Sequence, residues 1–441
     1  MNRYVRKKLA AKMEKELAVG CSSTTSIGQV PNNILVDILS RLPIKSVIQC
    51  RCVCKSFLSA ISQDPEFPPL HLSRSPPELI LCPITEHLFL VDYDNNNNDR
   101  YHQLNLIQFD GSCPLVPVNS TRGLLCFDLP FSSKSLFVFN PLTHEYIIIP
   151  PPMDLIDVKK SYTVHFGFGY SPMTDKYKAI AMVQYRESDN STTTIAAVYT
   201  AGSPSTSSWG IIEEYPPEVV FDRSFPIYLN GYLHWIVKMN SVDCVLSFDF
   251  DTEDFGLIAM PPGPFRNIVQ QNQHETLVAN LFVFEGQLSI CMLINRKRVE
   301  VWVVKEYGIS TSWSKEMVLE TPNYSWSYGA FPLKYVDNDK QEVILAFMGD
   351  KNSKVEMDFM GDQTLVTYNL VKKKIVKLNE LPFHNGILKP LMHVPILLPL
   401  KDLIKGAQVH LITDARIWTD SKFLAQFTGV ADISLAKRCS F

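Results

Sequence analysis

The chain has 441 residues, room for a small domain beside a large one. Hydrophobic residues make up 46% and charged residues 20%, a globular balance that leaves little room for long segments too polar to fold. A formal net charge of −3 denies the chain the basic face on which general nucleic-acid or membrane-surface binding depends.

The 10 cysteines are scattered, no apolar export segment opens the sequence, and no run approaches the roughly 18 apolar residues of a bilayer span. These features predict a reduced, soluble protein of the cytoplasm and/or nucleus, with neither nucleic acid nor membrane among its partners. In such a compartment the acceptor strings Asn119-Ser120-Thr121 and Asn190-Ser191-Thr192 carry no glycan.

Residues 3–18 have helix-forming composition with basic residues early, and 21–29 read as a linker, so 1–26 are expected to be a partly disordered extension. From Val30 the texture changes. Ile34, Leu35, Ile38 and Leu39 fall on one stripe at helical spacing behind Pro31, and Leu42-Pro43 stops that helix. Pro43 opens a second short helix carrying Val47, Ile48 and Cys50; a third carries Val53, Cys54, Phe57, Leu58 and Ile61 until Asp64-Pro65 ends it. So small a unit cannot bury all these groups within itself, and part of its apolar surface must face a partner or the rest of the chain. Cys50, Cys52 and Cys54 do not make a metal site, because helix positions two apart point roughly 200° from each other. They are expected to be small buried apolar residues.

The order Val30-Pro31, Ile34-Leu35, Ile38-Leu39, Arg41-Leu42-Pro43, Arg51-Cys52-Val53-Cys54-Lys55-Ser56-Phe57 and Asp64-Pro65-Glu66-Phe67 resembles an F-box over nearly its whole length. Val30 stands where that family carries Leu and Phe57 where it carries Trp; both keep a bulky apolar group. The resemblance implies a three-helix unit over 27–75 that docks a Skp-type adaptor and, through it, a cullin and a RING subunit. It assigns Pro31, Leu35, Ile38, Leu39, Leu42, Pro43, Val47, Val53, Cys54, Phe57 and Ile61 to adaptor contact or to packing of the box.

Beyond residue 78 short apolar runs separated by Asn, Asp, Gly and Pro predict many strands and no long amphipathic helix. Glycine-led strands open at Gly123, Gly231 and Gly286. With intermediate units at Tyr177-Lys178-Ala179 and Glu342-Val343-Ile344, the anchors Leu125, Ala179, Leu233, Leu288 and Val343 are spaced by 54, 54, 55 and 55 residues. A second landmark recurs about 17 residues into three units, at Phe139-Asn140, Phe248-Asp249 and Trp302, and prolines close strands at Pro150, Pro261 and Pro382. Such a period predicts propeller blades of about four strands. Five units, with strands at 79–91 and 104–109 and a late strand at 393–398 sharing a closing blade, make six; a large β-sandwich is the competing architecture. The fold class is therefore α+β and multidomain: a small helical box, then a large all-β domain over 78–400, then a tail over 401–441.

This half resembles the plant F-box-associated domain, on Gly123-Leu124-Leu125-Cys126, Phe139-Asn140-Pro141-Leu142-Thr143, Phe166-Gly167-Phe168-Gly169-Tyr170, Asn230-Gly231-Tyr232-Leu233-His234-Trp235 and Val301-Trp302-Val303-Val304. Together the two resemblances imply the substrate-recognition subunit of a Skp–cullin–F-box ubiquitin ligase, a non-catalytic adaptor whose β domain binds an unknown protein target. The alternative is a propeller scaffold or lectin-like module outside any ligase.

No catalytic, cofactor or metal residue emerges. Phe166 to Tyr170 lacks the third glycine, the lysine and the following helix of a phosphate loop, and is expected to be a turn leading into a strand. His234 beside Trp235 and His144 beside Glu145 have no partner at diagnostic spacing and are expected to be structural. Polar loops at 94–100, 188–194, 202–208 and 267–274 are candidates for target contact, without assigned residues.

Overall fold

The computed structural model describes residues 30–75, 77–83, 87–91, 101–105, 116–129, 135–157, 159–186, 192–203, 209–215, 219–221, 225–240, 242–262, 277–309, 312–321, 329–336, 338–348, 363–380 and 387–411. The N-terminal extension, the tail past 411 and all or most of each candidate loop lie outside them. The chain divides into two compact units at Ser75/Pro76.

Among the described residues the first unit holds four helices: α1 (Asn32–Leu39), α2 (Ile44–Cys50), α3 (Lys55–Ser62) and α4 (Phe67–Arg74). Pro31 and Pro43 sit immediately before α1 and α2 in extended conformation. There a missing N–H costs nothing, and their carbonyls accept the first helical bonds, from Leu35 at 3.1 Å and from Val47 at 3.1 Å. The fourth helix is absent from the expectation above. Pro68-Pro69 reads as a breaker, yet both prolines fall in the first turn of α4, where proline is tolerated.

In the second unit β1 (Glu78–Pro83), β2 (His87–Val91) and β3 (Tyr101–Asn105) make three strands of blade 1. Blade 2 follows as β4 (Val116–Thr121), β5 (Leu124–Leu129), β6 (Ser135–Asn140) and β7 (Glu145–Ile149), and blade 3 as β8 (Tyr162–Ser171), β9 (Lys176–Arg186), β10 (Thr192–Thr200) and β11 (Gly210–Ile212). In blade 4, β12 (Val219–Phe221) and β13 (Ile227–Leu229) share one edge of β14 (Tyr232–Met239), followed by β15 (Val242–Asp249) and β16 (Phe255–Ala259). Blade 5 comprises β17 (Leu277–Phe284), β18 (Gln287–Ile294), β19 (Arg298–Val304) and β20 (Trp313–Glu320). Blade 6 comprises β21 (Gly329–Tyr335), β22 (Glu342–Met348), β23 (Gln363–Asn369) and β24 (Lys374–Glu380). Then β25 (Ile387–His393) returns to pair with β1 and supplies the missing strand of blade 1. All pairings are antiparallel, and all join chain neighbours except β12 with β14, this closure and a late pairing onto blade 2 described below.

The six sheets pack in chain order. One apolar cluster joins blades 2 and 3, a second blades 3 and 4, a third blades 4 and 5, and a fourth joins blades 5 and 6 to Leu79 and Met392 of blade 1. Ser120 of β4 meets His393 of β25 at 3.0 Å, between blades 1 and 2. The described residues therefore form a six-bladed β-propeller, closed by strands from both ends of the unit. The anchors Leu125, Ala179, Leu233, Leu288 and Val343 all fall on the second strand of blades 2 to 6, and all are buried. The period survives because each blade must cover its neighbour with the same strand.

The glycine-led anchors are two-residue hairpins between first and second strands. Both central residues have positive φ in Arg122-Gly123, Asn230-Gly231 and Glu285-Gly286, the backbone that matches strand twist. At two of its three places the second landmark is a side-chain cap on the turn that ends the third strand: Asn140 Oδ1 accepts from Leu142 N at 2.9 Å and Asp249 from Asp251 N at 2.8 Å. Trp302 instead lies inside β19, and in blade 6 the same cap is made by Asn369, which accepts from Lys372 N at 2.7 Å.

Several expectations about the β domain need correction. The late strand is 387–393, not 393–398; the chain leaves blade 1 at Val394. Residues 401–411 are not tail: α5 (Leu400–Leu403) and β26 (His410–Leu411) belong to the propeller, Leu400 and Ile404 being buried and β26 pairing with β7. Finally, Phe166 to Tyr170 is the body of β8 and not a turn. Its glycines are dictated by blade 4, since a Cβ on Gly167 would strike Leu233 Cδ2 and one on Gly169 the ring of Phe250.

Candidate functional site

The helical unit sorts the residues of the apolar stripe into two sets. Leu35, Val36 and Leu39 of α1, Ile44 and Val47 of α2, and Ala60 and Ile61 of α3 are buried. Ile34 and Ile38, one helical turn apart on α1, remain 46% and 51% exposed, and Val53, in the turn between α2 and α3, is 64% exposed. A stripe that looks single in sequence is thus a corner, because neighbouring positions on a helix diverge by about 100°. Of the positions singled out from sequence, Leu35, Leu39, Val47 and Ile61 are buried; Leu42, Cys54 and Phe57 are half-buried; Pro31, Ile38, Pro43 and Val53 are exposed. Ile34 belongs to the exposed set but not to the positions singled out for the box. Its spacing of four from Ile38 is the signal that would have found it.

Polar bonds also brace this unit. Asp37 pairs with Arg41 at 3.0 Å and Arg74 at 2.9 Å, and Arg74 also donates to Ser40 Oγ at 2.6 Å, tying α4 to α1. Hydrogen bonding first to Arg41 and then to Arg74 holds the Asp37 carboxyl below the usual carboxylate range. Asn32 Nδ2 donates to Asp64 Oδ2 at 2.6 Å, fastening the start of α1 to the turn before α4. His71 stacks on buried Phe67 and bonds through Nε2 to the carbonyl of Leu42 at 3.0 Å. Burial lowers its pKa.

Cys50, Cys52 and Cys54 form no disulfide. Cys50 and Cys54 are half-buried, but Cys52 is exposed, contrary to the expectation that all three are buried. Among the described residues no group of three or more His, Cys, Asp or Glu is placed to hold a metal ion, and no helix is long and apolar enough to cross a membrane.

In the propeller the two histidines weighed above lie on β14 and in the turn after β6. His234 is buried between the Ile227 carbonyl at 3.1 Å and the Tyr307 hydroxyl at 2.6 Å. Nδ1 must donate to the carbonyl, so Nε2 accepts from the hydroxyl, and burial pulls its pKa down to about 4. His144 takes the left-handed conformation, φ 58°, in the turn after β6, and burial likewise lowers it to about 4.

Other polar side chains hold blades together. Asn119 Nδ2 and Thr121 Oγ1 donate to the Phe168 carbonyl at 2.7 and 2.8 Å, while Phe168 N–H donates back to Asn119 Oδ1 at 3.1 Å. A side-chain amide thereby satisfies the free edge of β8. Lys178, itself buried, spans blades 3 and 4 to the Phe250 carbonyl at 2.8 Å and Glu253 at 2.7 Å. Sequence reasoning had no signal for these cross-blade bonds, whose partners lie 47 to 75 positions apart.

Two family models match: "F-box domain" over residues 27–68 and "F-box associated beta propeller domain" over residues 81–381. Among curated proteins of Arabidopsis thaliana, F-box protein At3g07870 is 26% identical, covering 80% of this chain and 88% of that protein. F-box protein CPR1 is also 26% identical, covering 73% and 80%. Among solved structures, the six-bladed propeller of the Aleuria aurantia lectin is 9% identical with a TM-score of 0.35, covering 68% of this chain and 91% of that one. A box at the front, a propeller behind it and a family model spanning most of the chain lead to one assignment: the protein belongs to the plant F-box proteins with an F-box-associated β-propeller domain.

Proposed function

We propose that the chain is the target-receptor subunit of a Skp–cullin–F-box ubiquitin ligase, its box held by the Skp-type adaptor and its propeller binding the protein to be modified. The observation that carries this reading is the outward side of α1: Ile34 and Ile38 are half exposed on a unit whose other apolar residues are mostly enclosed. No chemistry is asked of the chain itself. Its contribution to rate is proximity, since a tethered target meets a ubiquitin-loaded enzyme at high effective concentration. The free cysteines and the absence of a basic face fit a complex in the cytoplasm or nucleus, without nucleic acid.

The test uses the full chain with Ile34→Asp and Ile38→Asp. Each apolar side chain withdrawn from an interface is worth roughly 1.5–3 kcal/mol, so affinity for a purified Skp-type adaptor should fall on the order of a hundredfold or more. The helical circular-dichroism signal should persist, because neither position is buried. Undiminished adaptor binding by this folded double variant would remove the ligase reading.

A further inference from the structure

Past β25 the chain does not leave the propeller. Residues 394–411 cross blade 2 and end against its outer strand. Ile396 is buried on Gly123, and a Cβ at Gly123 would collide with the Ile396 side chain. Asn140 Nδ2 donates to the carbonyls of Ile396 at 3.3 Å and Leu398 at 2.9 Å, and the Leu400 N–H donates to Glu145 Oε2. Leu400 and Ile404 enter the apolar cluster of blades 2 and 3 with Leu124, Val138 and Ala201. The Gly202 and Gly406 backbones touch so closely that a Cβ on either would hit the other strand's carbonyl.

We propose that blades 2 and 3 form a peptide groove, that residues 394–411 are the peptide occupying it, and that this strap is a latch able to open while the blades stay folded. Three observations support it. Recognition is of a peptide's kind: backbone carbonyls and an N–H are read by Asn140 and Glu145, and apolar side chains are taken at a spacing of four, Ile396, Leu400 and Ile404. The receiving side is shaped for it by two glycines. And the strap contributes no strand on which a blade depends, since blade 2 has its four strands without the two-residue β26.

Hydrogen exchange on the full-length protein tests the latch. The Leu403, Ile404 and Ala407 amides, bonded within the strap, should exchange at least about tenfold faster than those of β5 and β14, the mark of local opening. In the double variant Leu400→Ser, Ile404→Ser they should exchange faster again, with blades 5 and 6 unchanged. A synthetic peptide of residues 394–411 added to that variant should slow exchange in β5 to β7 saturably. Asn140→Asp is the second variant: it keeps the oxygen that caps its own turn and loses the N–H donors to the strap, so it too should speed strap exchange alone. Strap and blades exchanging at one common rate in the wild type would overturn the proposal. So would loss of protection across all six blades in Asn140→Asp, or a peptide without effect on the folded double variant.

Discussion

At Gly167 and Gly169 a motif that invites a ligand-binding reading turns out to be steric. The two glycines face the Leu233 side chain and the Phe250 ring, and their hydrogen atoms are the space that lets blade 4 close on β8. Gly169→Ala should cost about 1–3 kcal/mol, the usual penalty for overpacking a filled core, measured as a lower urea midpoint at unchanged slope. The same substitution at Gly286, where a Cβ meets nothing within 4 Å, is the control for space; its positive φ leaves only a backbone penalty. Asn119 carries a parallel lesson. The string Asn119-Ser120-Thr121 fits a glycosylation pattern, but Asn119 is buried against the Phe168 backbone, so its conformation serves the joint between blades 2 and 3.

Among the elements, α1 to α3 were legible because prolines mark the starts of α1 and α2, Asp64-Pro65 follows α3, and apolar residues recur at helical spacing. α4 was not, since Phe67-Pro68-Pro69 looks like an ending, and only the fold reveals that Phe67 is fully buried and His71 reaches back to Leu42. Phe67→Ala should remove about 3–5 kcal/mol, as large aromatic truncations in cores do, and unfold the helical unit. Loss of helical circular dichroism with retained strand signal would be the readout; full helicity would show that α4 is dispensable. The contrast with Ile34 and Ile38 is instructive. Residues one position apart on one stripe divide between core and surface, a distinction that depends on which neighbour each meets.

Across the whole molecule, buried neutral histidines make stability depend on pH. His234 and His144 are lowered to about 4 by burial, His165 also to about 4, and His393 to about 3. Each folded value lies below the ordinary 6.5, so the unfolded chain binds protons first. The stabilisation is complete above pH 6.5 and is lost as pH falls from there toward 4. At pH 5.5 each fully buried histidine, His234 and His393, costs about 1 kcal/mol. Thermal melts at pH 7.5 and 5.5 should show the drop, and His234→Gln should shrink it; a pH-independent midpoint would contradict the buried neutral state. The sequence by itself determined the helical box, the strand-rich remainder and the blade period, because these depend on local spacing of apolar residues, turn glycines and turn-capping side chains. Tertiary structure alone decided which apolar residues of the box stay exposed, where the closing strand lies and that residues 394–411 fasten blade 2. Each of these depends on contacts between residues distant in the chain, as between Asn140 and Leu398, which no local pattern records.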